Sequence, residues 1–404
     1  MNETRTGKPI SCQTPEAALL YQQGVDRILG SESGAAELLD MALERDPQFA
    51  LAAVARYLVA QDCGEADSQR FRDQAVQAAQ GASAWEWEHT ELLIGLIDHH
   101  GANRERALAY IETTPTDLLV ISKLTGNLFF YDGPRKLETV LEVFESVAPA
   151  LGDDWALLAR LGFAASEAGQ HQRGRELLER ALELRPQSLF SVHALAHLLH
   201  DEGAPVESAA LLNGWLSEYE EGAREGQMYG HVQWHLALSE WQVGQREVAW
   251  QRYLAYCAPA TTTCGPVLTL ADCGGFLLRD YLQSGEPRPL DAAVRAHIER
   301  VWGMLGHPFI ALHVAGLMAC AADREGLKRC EEAVAASGEG PNRERALALV
   351  SALRDFTEGE YEGAARTLAT LGPGDRIGIG GSNVERILVE LIESACQERA
   401  NAAP

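Results

Sequence analysis

Residues 155–188 read "WALLARLGFAASEAGQHQRGRELLERALELRPQS". Leu158, Leu161 and Gly162 recur at helical spacing in the first half, and Gly174, Leu178 and Ala181 do so in the second. Small residues on facing sides let two helices approach closely. Pro186 ends the second helix, because a proline cannot donate into a helical ladder. The stretch therefore predicts a tight helix–turn–helix.

Such a unit of about 34 residues is the tetratricopeptide repeat. Weaker copies of its second helix stand at 34–49 ("GAAELLDMALERDPQF"), 101–117, 243–256 and 358–373. Runs with strand-like alternation are nearly absent. The expected fold is all-α, a right-handed α-solenoid of irregular tetratricopeptide-like helix pairs. Its expected organisation is an N-terminal tail (1–14), a single superhelix (15–395) and a C-terminal tail (396–404).

The chain has 404 residues, 46% of them hydrophobic, enough for a substantial core. No apolar run reaches the roughly 18–20 residues that span a bilayer, and "MNETRTGKPISCQTPEAALL" lacks a signal-peptide core. A cytoplasmic location without membrane attachment is expected. A net charge of −24 repels phosphate backbones, so nucleic acid is not an expected partner. The eight cysteines show no C-x-x-C spacing and read as reduced, mostly buried thiols.

Histidines carry the functional signal. His193 and His197 follow the strong repeat and so fall on the next first helix. His231 and His235 precede the second-helix pattern at 243–256, which puts them on a first helix too. Both steps, 193→231 and 197→235, are 38 residues. Residues four apart share a helix face, and equivalent positions of successive repeats stack. The two pairs should therefore meet on neighbouring helices. Continuing, 37 residues lead to Asp272 and another 41 to His313, while His89 lies 104 residues before His193. Superhelical curvature would bring these seven side chains toward one cavity on the concave wall.

Imidazoles and a carboxylate suit a divalent transition metal, drawn from His193, His197, His231, His235 and Asp272. The same five residues are the candidates for acid/base catalysis. The competing reading is a polar concave wall whose histidines hydrogen-bond to their neighbours, with Asp272 orienting one of them. A small molecule, or a peptide held in the concave groove, is the expected partner. Enzyme and non-catalytic scaffold both remain open.

Several blocks resemble the tetratricopeptide repeat protein 38 family and its bacterial relatives: "TPTDLLVISK" (114–123), "SVHALAH" (191–197), "HVQWHLAL" (231–238), "ADCGGFLLR" (271–279) and "GGSNVERILVELI" (380–392). The likeness runs over about residues 15–395. It implies an irregular tetratricopeptide-like solenoid. The positions that match the family are His89, His193, His197, His231, Trp234, His235, Asp272, His313, Ser382, Asn383 and Arg386, which leaves the His/Asp wall intact, while the family name describes a fold and carries no reaction. His200 departs from the pattern, since relatives tend to carry Glu there.

Two further readings concern ligand-binding candidates. "GIGGSNVER" (378–386) supports a capping box, with Ser382 as N-cap and Glu385 three residues on. It also supports an anion site formed by Ser382, Asn383 and Arg386. Trp234 lies between two histidines and is either a repeat-core anchor or a pocket wall.

Overall fold

The computed structural model describes residues 5–99, 101, 103–131, 133–226 and 228–402. Helices account for about three quarters of them, and no β-strand occurs among the described residues. By contacts the chain forms two compact units. The first comprises Met1–Tyr131, Leu137–Glu202 and Ala210–Val232, the second Asp132–Lys136, Gly203–Ala209 and Gln233–Pro404.

In chain order, the first-unit helices are α1 (Pro15–Gly30), α2 (Ala35–Arg45), α3 (Ala50–Cys63), α4 (Gln69–Ala79), α5 (Ala84–Asp98), α6 (Arg104–Thr113), α7 (Leu118–Tyr131), α8 (Lys136–Leu151), α9 (Trp155–Glu167), α10 (His171–Leu184) and α11 (Leu189–Asp201). The boundary then passes through α12 (Pro205–Ala223) and α13 (Tyr229–Gln242). The second unit continues with α14 (Arg246–Arg252), α15 (Pro266–Ser284), α16 (Ala292–Val301), α17 (Pro308–Cys320), α18 (Arg324–Ala335), α19 (Pro341–Glu358), α20 (Tyr361–Leu368), α21 (Pro373–Ile377), α22 (Asn383–Arg386) and α23 (Leu388–Ala402).

The stretch 155–188 folds as its spacing predicts, into α9 and α10. A Cβ on Gly162 would lie 2.8 Å from the Leu178 side chain and 3.1 Å from the Gly174 carbonyl oxygen, so only glycine allows this approach. The first pair repeats the device, with Gly24 of α1 set against Leu39 of α2. Within the first unit α1, α3, α5, α7, α9 and α11 each touch the next, the stacking of first helices that defines the repeat. Helix α1 also meets α7 and α11. The first helices thus enclose one another, and their facing side chains are core rather than an open wall. In the second unit α15, α17 and α19 stack in the same manner, and α23 closes on α15 and α20.

Both termini differ from the expected tails. Residues 5–14 lie against the first unit, with Arg5 paired to Asp26 and Asp154 and the Ser11 N–H donating to Glu86. The last helix continues through Ala402, because "LVELIESACQERANA" contains no residue that breaks it. No described helix is long and apolar enough to cross a membrane.

Candidate metal centre

Helix α11 begins at Ser188, whose hydroxyl accepts from the Ser191 N–H at 3.2 Å. Leu189 and every residue from Ser191 to Leu199 are buried, so both faces of the helix are interior. This places His193 and His197 in the core, one turn apart. Helix α13 does the same for His231 and His235, between buried Val232, Trp234, Leu236 and Ala237. The four histidines are 2–6% exposed.

Each offers one ring nitrogen, and these four atoms all lie within 4.8 Å of one another. His193 Nε2 and His197 Nε2 are 2.8 Å apart, so one ring donates its N–H to the lone pair of the other. The His193 ring centre lies 4.4 Å from that of His197 and 4.8 Å from that of His231. Burial, and then the nearby His197 and His231, push the His193 pKa well below the ordinary histidine value. The imidazole is therefore neutral, the form that ligates metal.

The donor set fits a transition ion. A tetrahedral centre with bonds of about 2.0–2.1 Å sets its nitrogens about 3.4 Å apart, between the 2.8 Å of the His193–His197 pair and the 4.8 Å that encloses all four donors. Beyond the donors, Glu167 at the end of α9 brings Oε1 to 4.0 Å from His197 Nδ1, with its side chain 1% exposed. At that distance the carboxyl is an electrostatic neighbour of the far ring nitrogen, beyond hydrogen-bond length. Phe163 closes the same side, its ring centre 5.3 Å from that of His197. Sequence reasoning missed Glu167. Its signal is a position 30 residues before His197, roughly one repeat earlier on a first helix.

The remaining candidates lie outside this four-donor group. His89 donates from Nδ1 to Asp117 Oδ2 at 2.6 Å, and the Tyr110 hydroxyl donates to the same oxygen at 2.8 Å. Burial raises the Asp117 pKa, but His89, Tyr110 and the Val120 N–H outweigh it and hold the carboxyl below its ordinary value. Asp117 belongs to the "TPTD" block, which marked the segment but not this pairing. Asp272 is buried, with Cys264 Sγ 3.8 Å from Oδ2. His313 donates from Nδ1 to the Phe309 carbonyl at 2.7 Å, and burial pushes its pKa down to about 4. His200 is partly buried beside Asp201, 3.7 Å from Nδ1 to Oδ1.

Trp234 is fully buried, with Arg279 centred 5.7 Å over its ring. That arrangement is a packing anchor. At residues 378–386 the capping box is formed, with Ser382 and Glu385 serving each other's backbone N–H. Helix α22 spans only four residues. Arg386 and Lys136 both donate to the Gly381 carbonyl, which binds this loop within the second unit.

No protein-family model matches the sequence. Among solved structures the chain is similar to yeast Tom70 at 10% identity, covering 96% of this chain and 89% of that chain, with a TM-score of 0.32. It is also similar to a monomeric mutant of IFIT1 with Gppp-AAAA at 12% identity, covering 97% of this chain and 86% of that chain, with a TM-score of 0.35.

Proposed function

We propose that this is a helical-repeat protein, related to the tetratricopeptide repeat protein 38 family, that holds a divalent transition metal in its core and binds a small molecule there. The observation that carries the reading is the convergence of four buried imidazole nitrogens, from His193, His197, His231 and His235, within 4.8 Å. Neutral imidazoles at this spacing are good ligands for zinc and its neighbours in the first transition row. When bound, such an ion supplies a Lewis acid.

The chain's own residues supply the rest. To ligate through Nε2, His197 must carry its proton on Nδ1, the atom that faces Glu167. The charge of Glu167, 4.0 Å away, favours a proton on that atom, and a small closure of the pair would give the hydrogen bond that orients a ligating ring. Phe163 and Phe190, both partly exposed, flank His193 and keep one side of the site apolar. A small apolar or aromatic molecule suits that lining. We place the protein in the cytoplasm on its sequence.

Metal analysis of the purified, untagged chain tests the reading. One transition ion per chain is expected, and it should be lost in a His197→Ala, His235→Ala double variant that keeps its helical circular dichroism. Protein that purifies without metal, and whose unfolding temperature does not respond to added zinc, cobalt or copper, would rule it out.

A further inference from the structure

Residues 5–13, "RTGKPISCQ", form no helix, yet each end and the middle are gripped by the first unit. Arg5 pairs with Asp26 of α1 and with Asp154, the N-cap of α9, and its guanidinium lies 5.4 Å over the Trp155 ring. The Thr6 carbonyl accepts from the Thr116 hydroxyl at 2.9 Å. Lys8 Nζ donates to the Thr114 hydroxyl at 2.8 Å and sits 5.7 Å over the Trp85 ring. Trp85 Nε1 donates to the Pro9 carbonyl at 2.9 Å. The Ser11 N–H donates to Glu86 at 2.7 Å, and the Gln13 N–H to Asp46 at 2.8 Å.

These contacts are of two kinds. Two carbonyls and two N–H groups of the segment are read by side chains of the helical array, a mode indifferent to the peptide's sequence. Two basic side chains are read specifically, Arg5 by a pair of carboxylates over an indole and Lys8 by an indole and a hydroxyl. The gripping residues come from α1, α5, α9 and the turns after α2 and α6, elements joined to one another without the segment. Under the bound segment Glu86 and Asp46 are buried, and each gives an oxygen to the segment's backbone while Ser83 and Gln48 hold the carboxylates in place. With Asp26, Asp154 and the Trp85 N–H, these oxygens form an acidic surface whose charge and donor pattern match an extended basic segment. The segment itself is held mainly by polar contacts, with only Ile10 and Cys12 packed against the core. Such segments open at low free energy.

We infer that the first unit is a docking site for an extended basic peptide of the pattern Arg-x-x-Lys-Pro. Its own residues 5–13 fill the site, and a segment of a partner protein with that pattern exchanges for them. This surface is separate from the histidine cluster, and neither proposal depends on the other.

Fluorescence anisotropy with a labelled synthetic peptide of residues 5–13 tests this on the full chain. The variant Arg5→Glu, Lys8→Glu weakens the internal segment and should bind the peptide at least tenfold more tightly than the unmodified chain. Adding Asp154→Asn and Trp85→Phe to that variant should abolish the gain, as should replacing both basic residues of the peptide by alanine. On the unmodified chain, excess peptide should speed amide exchange over residues 6–13, a readout that needs no variant. Equal, negligible binding by both chains together with unchanged exchange would overturn the proposal. So would a concentration-dependent dimer of the variant that takes up no peptide, since the surface would then pair copies of this chain.

Discussion

Glu167 and His313 make opposite predictions about buried polar side chains. Glu167 stands behind His197, so Glu167→Gln should leave the fold intact and lower metal affinity about 10–100-fold, measured by competition with a chelator. His313 is held neutral in the second unit, its pKa lowered from 6.5 to about 4 mainly by burial. A histidine with a depressed folded-state pKa leaves stability intact above pH 6.5. It withdraws stability as pH falls toward 4, because the unfolded chain takes up the proton first. At about 1.4 kcal/mol per pKa unit the loss approaches roughly 3 kcal/mol. Urea unfolding between pH 7 and pH 4 should show this slope, and His313→Gln should flatten it. The histidine pairs were legible in the sequence because a four-residue step and a 38-residue step coincide. Asp272 and His313 were assigned to the same cavity by steps of 37 and 41 residues. Between His235 and Asp272 the chain passes through a π-helical turn at Tyr253–Cys257 and an irregular loop. Each residue gained or lost there turns the face by about 100°, which erases the phase.

Helices α9 and α10 show why the repeat was readable. Gly162 and Gly174 face each other across the pair, where even a methyl group meets backbone or Leu178. Gly162→Val should therefore lower stability by about 2–3 kcal/mol in chemical denaturation, through overpacking that exceeds any change in helix propensity. Helix α11 depends on its start as well as its packing. Ser188 is fully buried and caps the helix that carries His193 and His197. Ser188→Ala should cost about 1 kcal/mol, and by loosening the first turn it should weaken metal binding more than loss of the remote, partly exposed cap in Asp323→Ala does. The sequence pattern located these elements because small and apolar residues recur at fixed spacing. It could not show that α1 would also meet α7 and α11. That contact turns an expected open wall into core, and nothing in a local period encodes it.

For the whole molecule, all-α architecture and helix pairing followed from periodicity, while the division into two units did not. The division passes through continuous helices, where composition does not change. A metal bound only by the folded chain must stabilise it by mass action, about 2.7 kcal/mol at a free concentration one hundred times Kd. Chelator treatment should thus lower the unfolding temperature of the intact chain and spare that of the His197→Ala, His235→Ala variant. The most direct measurement is X-ray absorption at the metal edge of the untagged, full-length protein. Scattering from three or four imidazole nitrogens at about 2.0–2.1 Å is the expected result. A spectrum dominated by sulfur or by water oxygen, or the absence of a stoichiometric ion, would contradict a histidine metal centre.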